Sequence, residues 1–362
     1  MASAAEGPRQ EGAWHAPLAR ALSEVIPPAE ETIIATGTPL DVARTLAAEY
    51  GYVLDPVNYV RGVAISGRLR LHQLTGGDAP APSIVEAVEP FVGPDALEGL
   101  STADGSQHSA YVWAGELSEA TGDDRYARFI QQVADLYLPT RDDGLPAAVD
   151  PDFRVEDIFF AGAVLGRAFK TSGDRRYADA LIGFLEQVEA QSDSGLWWHC
   201  HASPFYWGRG NAFAALGFAE ALSYLPADEP RSGALEAKHR AHLEALIRHQ
   251  DASGAWHQVI DRADSYLELT VTSILGYVIT RGISRGWLSR DLEPVVERAW
   301  AAVAERVDDA GMVRDSCPGT GPMPSLQDYL DRAPISGHDD RAGSMALWFA
   351  VEYAEFLGTA AD

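Results

Sequence analysis

A turn signal returning every 50 to 60 residues constrains this chain more than any other feature. A small or acidic residue followed by Gly marks DDGLP at Gly144, SDSGLW at Gly195, DASGAW at Gly254 and DDAGMV at Gly311, at spacings of 51, 59 and 57 residues. A second signal, TGDDRY at Thr121 and SGDRRY at Ser172, recurs after 51 residues, and TGGD at Thr75 is a weaker copy 46 residues upstream. Between the turns lie Ala- and Leu-rich stretches such as DIFFAGAVLGRAF, AFAALGFAEALSYL and LTVTSILGYVITRGI, with apolar positions near a 3.6-residue period. Both signals read as helix-closing turns, so one period is an αα-hairpin. About six such hairpins fit the chain. Six close into an all-α (α/α)6 barrel, with inner helices buried on both sides and outer helices polar on their backs. An open solenoid of helix pairs is the rival. Trp- and Gly-rich turns favour the closed form, because loops at one mouth can converge on a pocket.

No long polar tract divides the sequence, so residues 15–362 read as one domain behind a small-residue tail over 1–14. A formal net charge of −25 leaves no basic footprint for nucleic acid and disfavours anionic membrane surfaces. An acidic small substrate would need local Arg or Lys to offset that global field. Two cysteines, Cys200 and Cys317, make no disulfide scaffold. The N-terminus has no apolar stretch of signal-peptide length, and no run approaches the roughly 18–20 apolar residues of a membrane span. Cytoplasmic residence is the expectation.

The segment Trp197 to Asn211, WWHCHASPFYWGRGN, holds three Trp, two His, a Phe, a Tyr, an Arg and an Asn in fifteen residues. Aromatic faces bind the C–H faces of sugar rings, while Arg, Asn and His hydrogen-bond hydroxyls and carboxylates. A buried packing loop would need a partner for each polar tip. The composition points to a sugar-binding surface, with a Trp-rich packing loop as the bland alternative.

Several segments in order resemble glycoside hydrolase families 88 and 105, the unsaturated glucuronyl and unsaturated rhamnogalacturonyl hydrolases. They are VEDIFFAGAVLGRAFKTSGDRRYADAL, WGRGNAFAALGFAEAL, GAWHQVIDRADSYLELTVTSILGYVITRGISRGWL and DSCPGTGPMPSLQDYLDR followed by DDRAGSMALWFAVEYAEF, together spanning roughly residues 55–357. That family is an (α/α)6 barrel, in agreement with the repeat count. The resemblance implies a small oligosaccharide or glycoside substrate bearing a uronate with a C4–C5 double bond. An acid protonates the vinyl ether, water adds at C5, and the hemiketal opens and releases the neighbouring sugar. This differs from the two-carboxylate displacement of ordinary glycosidases, and it requires neither cofactor nor metal.

By motif, the resemblance assigns the general acid/base to Asp157. Ile158, Phe159 and Phe160 follow it and could desolvate its carboxyl; as a plain first-turn residue, Asp157 would instead serve the helix N-terminus, with Glu156 as a solvated partner. Asp104 is the candidate second carboxylate, although the in-register position is Ser106, with His108 a substitute donor. Arg209 suits a carboxylate through its planar fork. His199 and Asn211 are expected on the sugar, Trp198, Tyr206 and Trp207 as platforms, and Trp256 and Gln258 at the mouth. Glu268 supports them or serves a helix N-terminus. The cluster His338 to Arg341 reads as a solvated loop.

Rivals come from other classes. Cys200, His201 and Cys317 could bind zinc, but in an order unlike that of Cys/Cys/His toroids and without a CxxC. A hexose epimerase could enlist His199, His201, His249 and His257, though the R-G-N and S-Y-x-E motifs point elsewhere. A non-catalytic carbohydrate-binding protein is the third alternative. Nothing in the sequence sets an oligomeric state.

Overall fold

Helices that are buried around their whole circumference alternate along the chain with helices that bury a single stripe. In the computed structural model, which describes residues 37–77, 81–101, 104–138, 154–226 and 228–358, the first kind comprises α2 (Tyr59–Thr75), the broken pair α4 (Gly105–His108) and α5 (Ala114–Thr121), α7 (Glu156–Ser172), α9 (Gly208–Tyr224), α11 (Leu269–Arg285) and α14 (Asp340–Phe356). The second kind comprises α1 (Pro39–Glu49), α3 (Ala81–Val88), α6 (Asp124–Tyr137), α8 (Arg175–Gln187), α10 (Ser232–Ile247) and α12 (Glu293–Ala304), while α13 (Leu326–Leu330) is a short helix in a loop. Every residue from Gly208 to Ala221 and from Leu269 to Ile283 is buried. On α8 the buried set shrinks to Tyr177, Ala178, Leu181, Ile182, Phe184 and Leu185, one amphipathic stripe.

Each inner helix packs on the next, and α14 packs on both α11 and α2, which closes the ring. The fold is an (α/α)6 barrel, as the repeat predicted. Small residues permit the close inner crossings. A Cβ on Gly217 would run into the Ile158 carbonyl, and one on Gly162 into the Gly217 carbonyl. The tail over residues 1–14 and the turn at Gly144 lie outside the described residues.

The two turn signals do different jobs, which corrects their common reading as helix stops. Gly76, Gly122 and Gly173, of the T-G-G-D and T/S-G-D signals, close inner helices in the left-handed conformation, at φ of 60°, 70° and 69°. The Asp that follows Gly122 or Gly173 caps the next outer helix: Asp123 accepts from Arg125 N and Asp174 from Arg176 N. Gly195, Gly254 and Gly311 are also left-handed, but they sit beyond the ends of outer helices, within the connections back to inner ones. Those longer connections carry two small antiparallel sheets, β1 (Trp256–His257) with β2 (Leu267–Glu268) and β3 (Val313–Ser316) with β4 (Ile335–Gly337). Short hinges therefore occupy one end of the barrel and elaborate loops the other.

At the hinge end the barrel axis is filled by charge. Arg167 donates to Glu220, Tyr277 Oη donates to Glu220 at 3.2 Å, and Arg70 bonds Tyr277 and Glu116 at 2.8 and 3.3 Å. Burial alone would raise the Glu220 pKa, but Arg167, Arg70 and Arg281 outweigh it and leave the carboxyl below its ordinary value. These cations stand where inner-helix C-termini converge, the electrostatically favourable position for them. Among the described residues, no helix is long and apolar enough to cross a membrane.

Candidate active site

Inner-helix N-termini converge at the loop end. Four are capped by side chains, from Asn58, Asp104, Glu268 and Asp339, whereas α7 and α9 begin without a side-chain cap. Uncapped N–H groups favour negative charge nearby. Between these ends lies a cavity of about 160 Å³ lined by Asn58, Tyr59, Val60, Ser106, Arg154, Glu156, Phe160, Trp207, Arg209, Phe213, Gly319, Thr320 and Arg341. Its aromatic floor is fixed by edge contacts of Tyr59 with Phe159 and Phe213, at 5.7 and 5.3 Å between centroids.

Glu156 is the one carboxylate among these lining residues. The chain entering α7 pairs with the aromatic segment, Val155 N donating to His199 O at 3.0 Å, and this brings His199 beside Glu156. His199 is fully buried; its Nδ1 lies 2.5 Å from Tyr329 Oη and its Nε2 lies 3.1 Å from Glu156 Oε1. Burial pushes the Tyr329 hydroxyl up to about 12, so it is protonated at neutral pH. With that hydroxyl donating to Nδ1, the ring proton sits on Nε2, aimed at the carboxylate. Trp207 lies against the imidazole, with ring centroids 4.4 Å apart. Glu156 Oε1 is thus held by the protein, while Oε2 is buried with no hydrogen-bond partner among the described residues.

Several of the residues expected at the site are bonded to the protein itself. Arg209 donates through Nη1 to Cys317 O at 2.6 Å and through Nη2 to Pro318 O at 2.8 Å, and stacks 4.8 Å over Trp207. Burial disfavours its charge, yet Cys317, Tyr59, Glu268 and Tyr266 more than compensate, so it stays protonated. Its fork is occupied by the backbone. Asn211 accepts from Trp197 N at 2.8 Å and donates to Trp197 O and Trp207 O at 2.9 and 3.0 Å, clamping both ends of the aromatic segment. Glu268 caps α11 through Thr270 N and Val271 N and accepts from Cys317 N at 2.8 Å, joining that cap to the 317–320 loop. Trp256 is wholly buried with its indole donating to Leu246 O at 2.7 Å. Gln258 is buried as well, and its backbone carbonyl anchors Gly208 N at the start of α9.

Asp157 is 1% exposed and lies outside the cavity lining, near enough to Tyr137 to raise the pKa of that buried hydroxyl, after burial itself. Asp104 caps α4 through Gln107 N at 3.0 Å, and Ser106 stands on the cavity wall in its stead. His108 is buried against Ser101 O at 2.6 Å. Trp198 is half-buried, edge-on to His201, and Tyr206 is half-buried against the core; neither lines the cavity. The cluster His338 to Arg341 is not merely a solvated loop, because Arg341 forms part of the cavity wall. Tyr59 and Arg154 went unread in the sequence, and Arg341 was read only as part of that cluster. Tyr59 and Arg341 open inner helices, and that position was the available signal.

A ring of inner helices whose N-termini open on an aromatic, carboxylate-bearing cleft is the plan of a carbohydrate-cleaving (α/α)6 barrel. Residues 47–357 match the model of glycosyl hydrolase family 88, and the chain belongs to that family. It is a glycoside hydrolase. It is 29% identical over 257 residues to the unsaturated rhamnogalacturonyl hydrolase YesR of Bacillus subtilis, covering 65% of this chain and 73% of that protein. Its fold is similar to a possible GH105 member from Klebsiella pneumoniae, with a TM-score of 0.75 and 19% identity over 97% of this chain and 99% of the other. It also resembles the unsaturated glucuronyl hydrolase of Bacillus sp. GL1, with a TM-score of 0.64 and 13% identity over 90% and 97%.

Proposed function

We propose that this enzyme removes a Δ4,5-unsaturated uronyl residue from the end of a short oligosaccharide or glycoside, with Glu156, rather than Asp157, as the proton donor. The supporting observation is that Glu156 is the one carboxylate among the cavity-lining residues, its Oε1 within reach of His199, which Tyr329 positions in turn, and its Oε2 buried without a hydrogen-bond partner among the described residues. The protonated carboxyl gives its proton to C4; the C4–C5 π pair forms the new C–H bond, and positive charge spreads over C5 and the ring oxygen. Water adds at C5 and returns a proton to the Glu156 carboxylate. The C5 hemiketal then breaks its ring C–O bond, leaving a ketone at C5 and a hemiacetal at C1. That hemiacetal expels the neighbouring sugar as an alcohol and leaves an aldehyde. No glycosidic carbon is attacked directly. Tyr59, Phe160, Phe213 and Trp207 supply the apolar surface for the flat ring.

The test follows loss of ultraviolet absorbance from lyase-generated disaccharides, with saturated glycosides alongside. Glu156→Gln is expected to lower kcat by roughly 100- to 10,000-fold, the scale of a lost general acid, while Asp157→Asn lowers it far less. A folded Glu156→Gln protein that still turns over, paired with an inert Asp157→Asn, defeats the assignment.

A further inference from the structure

We propose that Arg154 and Arg341, and not Arg209, grip the carboxylate of the sugar, so that the enzyme requires a free acid and discriminates against its methyl ester. This rests on the reading above and specifies which sugars the cleft accepts.

Three guanidinium groups face the cavity. Arg209 spends one N–H of each terminal nitrogen on a backbone carbonyl, and turning it toward a ligand would release the 317–318 segment. Arg154 and Arg341 are differently placed. Among the described residues neither side chain donates a hydrogen bond; their ion pairs, to Glu156 at 4.0 Å and Asp339 at 3.7 Å, are beyond hydrogen-bonding range. Arg154 Nε is in addition shut off from solvent with no acceptor. Both run to one short loop. A Cβ built on Gly319 would lie 3.4 Å from Arg341 Nη2, and one on Gly321 4.0 Å from Arg154 Nη2. Both guanidinium groups therefore stand beside the 319–321 loop on the wall of the one cavity.

A planar carboxylate matches planar guanidinium forks, and charge-assisted bonds of this kind are the stronger class. Local cations are also what an acidic protein of net charge −25 needs to admit an anion. The position suits the chemistry. The uronate carboxylate is borne by C5, and C4 is one bond further, so an acid group held beside Arg154 brings C4 toward Glu156.

The experiment compares an unsaturated disaccharide with its methyl ester, using the wild-type enzyme, Arg154→Gln, Arg341→Gln and the double variant, with folding checked by thermal melts. Each single variant should raise KM for the acid by roughly 10- to 100-fold, the loss expected for one charge-assisted bond, and should narrow the acid-to-ester ratio of kcat/KM. The double variant should erase the ratio. Equal losses on acid and ester, showing Arg154 to act only through Glu156, overturn the proposal, as does a ratio that collapses only in Arg209→Lys. Calorimetric titration with a saturated glucuronide and its methyl ester gives the same comparison without turnover. If no unsaturated uronide is cleaved, the functional reading fails; the clamp stands or falls on whether the substitutions weaken binding of the acid alone.

Discussion

Lowering the pH from 7.5 to 5 should destabilise this barrel through two imidazoles. His239 and His242 lie on α10 and are buried against the inner wall. His239 stacks on Phe218 with neither ring nitrogen bonded; His242 meets the edge of Trp197 and places Nε2 3.4 Å from Asn211 Oδ1. Burial pushes both down to about 3, helped at His239 by Arg240 and at His242 by His239. In the unfolded chain each titrates near 6.5. Between those values the unfolded state binds the extra protons, so folding stability falls as pH falls through 6.5 and continues to fall toward 3. Each group costs about 1.36 kcal/mol per pH unit once below 6.5, hence about 2 kcal/mol apiece at pH 5 and about 4 kcal/mol together. That is a large share of a stability of roughly 5–15 kcal/mol. Urea unfolding at both pH values, for wild type and for the His239→Phe/His242→Gln double variant, isolates the effect, because the carboxylates are common to both. The wild type should lose about 4 kcal/mol more than the variant over this interval. Equal losses would refute the argument that these rings are buried neutral.

Asn211→Leu removes three hydrogen bonds that close the aromatic segment; it should cost about 2–4 kcal/mol in urea unfolding and raise KM, because the Trp207 wall loosens. Gly217→Ala should cost about 3–5 kcal/mol, or prevent accumulation of soluble protein, since the new methyl meets a backbone carbonyl that cannot give way; a melting temperature within a degree or two of wild type would contradict the crossing described.

The barrel was legible because its punctuation is local. A left-handed Gly followed by a capping Asp needs no tertiary context, so T-G-D and S-G-D mark inner-to-outer hinges wherever they stand. The site was less legible because it depends on which face a residue presents. Glu156 and Asp157 are neighbours in sequence, yet successive side chains on a helix point about 100° apart. Glu156 shares its face with Phe160, four residues on, and both line the cavity. That i, i+4 pair is what the proposed role of Glu156 adds to the resemblance, which marks the helix start. Arg209 and Asn211 were read as sugar contacts from their motif and chemical type, and Glu268 as a support or a helix N-terminus, the second of which it is. Their polar groups are instead consumed by carbonyls and N–H groups of loops distant in sequence, and no local pattern reveals such a debt. Ser106 and Arg341 follow the same logic in reverse, reaching the cleft because their helices begin there.

The charged layer joining Arg167, Glu220, Tyr277 and Arg70 gives the barrel a stopper. With the axis corked at one extremity, whatever is swallowed must be returned through the doorway by which it came. A chain cannot be threaded through, so only its terminal unit can be engaged.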